Sequence, residues 1–141
     1  MALKAKRVQI WVAGMKDKAG ALSKKLAGLA EAGAQLEFVL ARRAPEKPGK
    51  GVVFVAPLQG AKQQAAAKKL KIRKSKSVFA VRVEGADKPG LGAKITGALG
   101  EAGINLRGMS AAVIGKRFVL HLALDSGKDA AKALRVVKAM K

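Results

Sequence analysis

The chain contains 141 residues, of which 50% are hydrophobic and 4% aromatic, so it can form one domain or two very small ones with an aliphatic core. It has no cysteine, which excludes disulfide scaffolds, cysteine-ligated zinc sites and thiol catalysis. Lysine and arginine number 29 against 9 acidic residues, and the resulting net charge of +20 predicts attraction to polyanions without naming a binding site.

The first half of the chain predicts a strand, a helix, two strands and a second helix, from apolar periodicity and turn residues. In chain order these elements span residues 8–13, 21–32, 34–43, 51–57 and 61–70. The pattern leaves open whether a closing strand follows from Ser77 or is missing. Seven basic residues and no acidic one lie between Lys62 and Lys76, which is typical either of a solvated helix surface leading into a linker or of a polyanion contact.

The second half of the chain predicts the same order of elements. Alternating apolar residues from Phe79 to Val83 indicate a strand, and Asp-Lys-Pro-Gly at 87–90 has the composition of a turn that begins a helix. The elements after this turn are a helix at 95–102, strands at 104–114 and 117–124, and a closing helix around 130–137.

A shift of 70 residues aligns the two halves with each other. Asp17-Lys18-Ala19-Gly20 then falls on Asp87-Lys88-Pro89-Gly90, and Glu31-Ala32-Gly33 falls on Glu101-Ala102-Gly103. The matches of Asp, Glu and Leu at one offset exceed what an Ala-, Gly- and Lys-rich composition explains. We therefore predict two copies of one unit, at residues 1–72 and 77–141, joined by a basic linker at 73–76.

The predicted order is that of an α+β, ferredoxin-like βαββαβ sandwich, in which two helices cover one face of an antiparallel sheet. Each unit is near the lower size limit for independent stability and leaves a sheet face and edge strands uncovered. We therefore expect the units to pack on each other, within the chain or between chains.

A strand leading into Asp-Lys-Pro-Gly-Leu at 87–91, a helix, and Gly-Ile-Asn-Leu at 103–106 before the next strand resembles an ACT domain. The resemblance covers nearly the whole chain, twice, and implies two tandem ACT-like βαββαβ modules. ACT modules commonly bind amino acids near this loop, at an interface between two modules. The first copy departs from the motif at three positions, where Ala19, Ala21 and Gln35 replace Pro89, Leu91 and Asn105.

The turn before the second-copy helix is a candidate site for a zwitterion. Free N–H groups at a helix N-terminus favour a carboxylate, and Gly90 allows close approach to the backbone. Asp87 can accept hydrogen bonds from an α-ammonium group, although it can equally cap the helix. The candidate ligand-binding residues are Asp87, Lys88, Pro89, Gly90, Leu91 and Asn105, with Asp17, Gly20 and Gln35 as their first-copy equivalents.

The residue pattern shows no catalytic arrangement and no phosphate-binding glycine loop. His121, the only histidine, is expected at a surface or an interface. The longest apolar run, residues 51–58, is too short to span a membrane. We predict a non-catalytic, cofactor-free cytoplasmic regulatory protein that binds a free amino acid and acts through a homo-oligomer or a partner enzyme.

Two alternatives remain at this stage. RNA-recognition modules use the same order of elements, but Val52 stands where such a module has a stacking aromatic residue, so nucleic-acid binding would be weak and unspecific. The residues that would contact a polyanion are Lys62, Lys68, Lys69, Lys71, Arg73, Lys74 and Lys76. The second alternative is an ACT-type dimerisation scaffold that binds no ligand.

Overall fold

The computed structural model describes residues 3–140, which form two compact units. The first unit is Gln9–Ser75, and the second unit combines residues 3–8 with residues 76–140. Strand β1 (Lys4–Val8) therefore belongs to the unit that is built mainly from the C-terminal half of the chain.

The first unit, all of which lies in the described part of the chain, has four strands and two helices in the order βαββαβ. They are β2 (Trp11–Lys16), α1 (Ala21–Glu31), β3 (Phe38–Arg43), β4 (Lys50–Ala56), α2 (Gly60–Lys69) and β5 (Arg73–Lys74). The sheet order is β3-β4-β2-β5, with antiparallel neighbours. Alternate strand residues such as Ala13 and Val53 pack against Leu29 of α1 and Ala67 of α2, so both helices cover the same face.

The second unit adds five elements to β1. They are β6 (Phe79–Ala86), α3 (Leu91–Glu101), β7 (Gly108–Ile114), β8 (Arg117–Leu124) and α4 (Gly127–Lys138). The sheet order is β1-β6-β8-β7, again with antiparallel neighbours. Val83 and Leu122 from the sheet, Ile95 and Leu99 from α3, and Val137 from α4 are fully buried in one core. An α+β fold with two antiparallel sheets and four helices is thus confirmed for residues 3–140.

The two sheets have the same topology. Read from its other edge, the second sheet has the order β7-β8-β6-β1, which corresponds strand for strand to β3-β4-β2-β5. Equivalent backbone hydrogen bonds also lie just before β3 and β7. The Glu37 N–H donates to the Ala56 carbonyl, and the Arg107 N–H donates to the Ala123 carbonyl, each at 2.8 Å. Strand β1 thus holds the edge position that β5 holds in the first unit.

The unit boundaries differ from the predicted 1–72, 73–76 and 77–141. Leu3 and Ala5 pack against the core of the second unit, and β1 pairs with β6. Residues 73–74 of the predicted linker form β5, which pairs with the start of β2. The single strand predicted at 8–13 is instead the junction between β1 and β2. Alternation of apolar and polar residues identifies a strand, but it does not identify the sheet that the strand joins.

The strands predicted at 34–43 and 104–114 begin later, at Phe38 and Gly108. The preceding residues complete the helix ends. Gly103 has a φ of 75°, and the Ile104 N–H donates to the Leu99 carbonyl at 2.9 Å, which closes α3 with a left-handed glycine. The same arrangement ends α1 at Gly33, which has a φ of 84°. Sequence periodicity alone does not separate such a cap from the strand that follows.

Truncation of Leu99 is expected to destabilise the second unit. Its side chain has no exposed area and packs in the α3 face of the core, so Leu99→Ala should lower the free energy of unfolding by about 3 kcal/mol. Urea unfolding followed by circular dichroism measures this loss. Gly100→Ala is the control, because a Cβ there meets nothing within 4 Å and alanine favours the helix. Equal stability of both variants would contradict the assigned packing.

Candidate functional site

The loop between β6 and α3 is held by backbone hydrogen bonds at both ends. The Asp87 N–H donates to the Lys116 carbonyl at 2.8 Å, which ties the loop to the β7–β8 turn. The Leu91 N–H donates to the Lys88 carbonyl at 3.3 Å. Gly90 precedes α3 with a φ of 79°, a left-handed conformation that strains any residue with a Cβ. The loop conformation therefore depends on glycine at this position.

A pocket of about 300 Å³ lies beside this loop, within the second unit. It is formed by the loop, the first turns of α3, the middle of edge strand β7 and the start of β8. Its lining residues are Asp87, Lys88, Gly90, Leu91, Gly92, Ile95, Ala111, Ala112, Val113, Phe118 and Leu120.

The pocket combines an apolar floor with a charged rim. Leu91, Ile95, Phe118 and Leu120 are between 0% and 7% exposed and belong to the core, so the floor is both apolar and rigid. Asp87 and Lys88 are exposed and lie in the loop. A ligand that fits this arrangement has an apolar part for the floor and charged groups of both signs for the rim.

The start of α3 supplies hydrogen-bond donors to this pocket. The first bond of the helix runs from the Lys94 N–H to the Gly90 carbonyl at 2.9 Å, so the N–H groups of Gly92 and Ala93 precede the helical bonding pattern. The helix dipole makes this end favourable for an anion. Within residues 3–140, no ion pair forms with the Asp87 carboxylate, which is thus available to a cationic group.

The first unit has a similar loop with a different electrostatic state. The Asp17 N–H donates to the Gly49 carbonyl at 3.0 Å, and Gly20 precedes α1 with a φ of 87°. The Asp17 carboxylate, however, accepts a hydrogen bond from the Arg43 guanidinium, with Nε and Oδ2 2.9 Å apart. The loop carboxylate is therefore already paired in the first unit.

Comparison with known proteins assigns part of the chain to a family. Residues 79–141 match the family model described as ACT domain. An ACT domain is found at residues 79–141. The match includes β6, α3, β7 and β8, and thus the loop and the pocket, but it does not extend to β1 or to the first unit. A search of curated proteins found no match to the sequence.

Solved structures of the same fold cover nearly the whole chain. Protein BT0572 from Bacteroides thetaiotaomicron is similar with a TM-score of 0.77, 16% identity, and coverage of 95% of this chain and 90% of that one. The ligand-free regulatory subunit of aspartate kinase from Thermus thermophilus gives a TM-score of 0.67, 19% identity, and coverage of 100% and 99%. The corresponding subunit from Thermus flavus gives 0.57 and 22%, with coverage of 96% and 93%. At these identities the likeness establishes the fold.

Four of the six residues predicted for the ligand site of the ACT domain line the pocket: Asp87, Lys88, Gly90 and Leu91. Pro89 lies in the loop but is not among the lining residues. Asn105 is exposed in the connection between α3 and β7, and it does not line the pocket either. Gln35 occupies the equivalent exposed position in the first unit.

The pocket wall and floor were not predicted from the sequence. The periodicity of Ile95, Phe118 and Leu120 indicates core positions, and the structure shows that these core side chains also form the pocket floor. The wall comes from β7, where Val113 is 54% exposed. An apolar residue in a strand signals a site only once that strand is known to lie at an edge beside the loop.

The residues of the predicted polyanion set are all exposed, and three of them have local roles. Lys68 and Lys69 lie in the last turn of α2, where the helix dipole favours positive charge. The Lys74 ammonium lies 5.8 Å from the centre of the Trp11 ring, a cation–π distance. The other members of the predicted polyanion set, Lys62, Lys71, Arg73 and Lys76, are also on the surface. This set is consistent with a solvated surface, the first of the two interpretations of the charge run.

Other kinds of site receive no support from residues 3–140. No group of three or more His, Asp or Glu side chains in this range could hold a metal ion. No helix in the same range is long and apolar enough to cross a membrane. His121 is 9% exposed, so of the predicted surface or interface position the surface alternative was wrong for this side chain. His121 alternates along β8 with the core residues Leu120 and Leu122.

Proposed function

We propose that the chain is a non-catalytic regulatory protein that binds a small amino acid in the pocket of its ACT domain. One observation carries the proposal: the predicted loop, within the segment that matches the ACT family, borders a pocket with an apolar floor and a charged rim. The regulatory subunits among the structural neighbours support a regulatory role for this fold.

Each part of an amino acid has a counterpart in the pocket. The α-carboxylate binds the N–H groups at the start of α3 and the Lys88 ammonium, and the α-ammonium binds the Asp87 carboxylate. The ligand side chain lies on the floor formed by Ile95 and Phe118, which favours an apolar side chain. Polar and charged side chains would lose hydration there without gaining a partner.

We further propose that the first unit is a diverged second ACT copy, so that the chain is a tandem repeat. Three features support this interpretation: the same strand order, the same left-handed glycine before the first helix of each unit, and the same hydrogen bonds at the helix ends. Domain boundaries at Gln9 and Lys76 replace the predicted 1–72 and 77–141 in this proposal, because β1 completes the second sheet.

The route from binding to regulation is proposed to run through β7. This edge strand forms one pocket wall and carries the exposed side chains of Met109, Val113 and Ile114. Unpaired edges with apolar side chains favour pairing with another copy or a partner enzyme. Occupancy of the pocket would then couple to that association by about 1–3 kcal/mol.

Nucleic-acid binding and a ligand-free dimerisation scaffold are the two alternatives to this proposal. The comparisons lend no support to nucleic-acid binding, and Lys68, Lys69 and Lys74 of the basic set already have a structural explanation. A ligand-free dimerisation scaffold would give no response to any amino acid. The absence of catalysis, the absence of a cofactor and the cytoplasmic location stay predictions.

Blocking the pocket at Gly92 is the direct test. Gly92 lines the pocket, and a Cβ there meets nothing within 4 Å, so Gly92→Leu adds a side chain at the mouth without a strained backbone. We measure thermal stability with each of the twenty standard L-amino acids. The unmodified protein should gain about 2.7 kcal/mol at a concentration near 100 times Kd. Gly92→Leu should lose this gain.

Gly97→Leu is the matched control. Gly97 lies in the same helix and is exposed, and a Cβ there also meets nothing within 4 Å, but this residue does not line the pocket. Both substitutions raise helix propensity by a similar amount. Equal responses of the two variants would place binding elsewhere, and a protein that responds to no amino acid would refute the proposed function.

A further inference from the structure

One strand position carries different residues in the two units. Arg43 of β3 pairs with Gly51 of β4, and Val113 of β7 pairs with Phe118 of β8. Each is the sixth residue of its edge strand, and β3 and β7 hold equivalent positions in their sheets. Val113 lines the pocket of the ACT domain. An arginine therefore replaces a pocket-wall valine in the first unit.

Arg43 uses this position to reach the loop carboxylate. Its Nε lies 2.9 Å from Oδ2 of Asp17, the residue equivalent to Asp87. In the proposed function the carboxylate of Asp87 accepts hydrogen bonds from the α-ammonium of the ligand. In the first unit, a guanidinium of the same chain already makes that contact.

The backbone of this corner, formed by the loop between β2 and α1 together with the start of α1, keeps the features of the second-unit loop. Gly20 has a φ of 87°, close to the 79° of Gly90, and the Lys24 N–H donates to its carbonyl at 3.1 Å. The Met15 Cε would lie 3.4 Å from a Cβ at Gly51, so an apolar side chain fills the space next to the glycine. Lys25 and Arg42 also stand where the ACT pocket has Ile95 and Ala112, but Arg43 is the basic residue that pairs with the Asp17 carboxylate.

The ion pair contributes little to folding. Its side chains are 82% exposed for Arg43 and 38% for Asp17, and exposed pairs of this kind have small effects on stability. At the binding step the guanidinium occupies the carboxylate and also repels an ammonium group at the same place.

We propose that Arg43 is an internal substitute for the ligand's ammonium group and closes the first-unit corner, so that each chain binds one amino acid. The proposal rests on the proposed function of the ACT pocket. It adds the stoichiometry of binding and names the residue that sets it.

Isothermal titration of the full chain with each of the twenty standard L-amino acids tests this proposal. We expect one binding event per chain for the unmodified protein. Arg43→Val places valine, the residue type that lines the ACT pocket at Val113, at this position of the first unit. This variant should give a second binding event. Arg42→Val is the matched control, because Arg42 is the adjacent exposed residue of β3 and loses the same charge, but its guanidinium bonds to the Arg43 carbonyl instead of Asp17. This control should keep one event.

The outcomes separate this inference from the proposed function. One event in both the unmodified protein and Arg43→Val would leave the ACT pocket standing and overturn the role of Arg43. Two events in the unmodified protein, or in Arg42→Val, would also overturn it. Binding that appears only in Arg43→Val would support the role of Arg43 and overturn the ACT pocket. No binding to either protein would overturn both.

Discussion

An arginine at position 113 is expected to abolish amino-acid binding by the ACT domain. Val113 holds the same sheet position as Arg43, so the new guanidinium should pair with Asp87 as Arg43 pairs with Asp17. The pocket then presents a cation where the proposed ligand places its ammonium group. We expect Val113→Arg to raise Kd at least tenfold in isothermal titration, which corresponds to about 1.4 kcal/mol or more.

Ile114→Arg is the control for this prediction. Ile114 is 77% exposed, follows directly in β7 and does not line the pocket, so its substitution adds the same charge to the same strand. Its side chain points to the other face of the sheet, because successive residues of a strand alternate. An unchanged Kd in Val113→Arg, or an equal loss in both variants, would contradict a specific pairing with Asp87.

Removal of β1 is expected to destabilise the second unit. Deletion of residues 2–8 uncovers the edge of β6, removes a strand against which α4 packs, and exposes core surface now covered by Leu3 and Ala5. Lost strand hydrogen bonds and apolar burial together predict a loss of about 3 kcal/mol or more. Amide hydrogen exchange should show reduced protection in β6 and α4, while β4 of the first unit keeps its protection.

Lys4→Ala with Lys6→Ala is the control for the deletion. Both lysines are exposed on β1, so the double substitution removes their charge while the strand itself remains. Its exchange pattern should match that of the unmodified protein. If the deletion lowered protection in the first unit and left β6 unchanged, the assignment of β1 to the second sheet would be wrong.

Local sequence features predicted the loop better than the pocket. Asp87, Lys88 and Gly90 were found because turn chemistry and helix starts depend on residues that are adjacent in the chain. The floor and wall come from α3, β7 and β8, which are brought together only by packing. Phe118 and Val113 therefore had no signal in the sequence that distinguished a pocket residue from a core or surface residue.

The sequence by itself determined the strand–helix–strand–strand–helix order of each unit, the α+β class, the internal similarity at an offset of 70 residues and the loop that begins α3, because each depends on short-range periodicity and turn residues. It did not separate β1 from β2 or identify the two-residue strand β5. The tertiary structure decided which sheet β1 joins and which side chain pairs with Asp17. Both depend on contacts between residues far apart in the chain. Leu3 packs beside residues more than 70 positions away, and Arg43 of β3 reaches the Asp17 carboxylate in the loop after β2, so no local pattern encodes either contact.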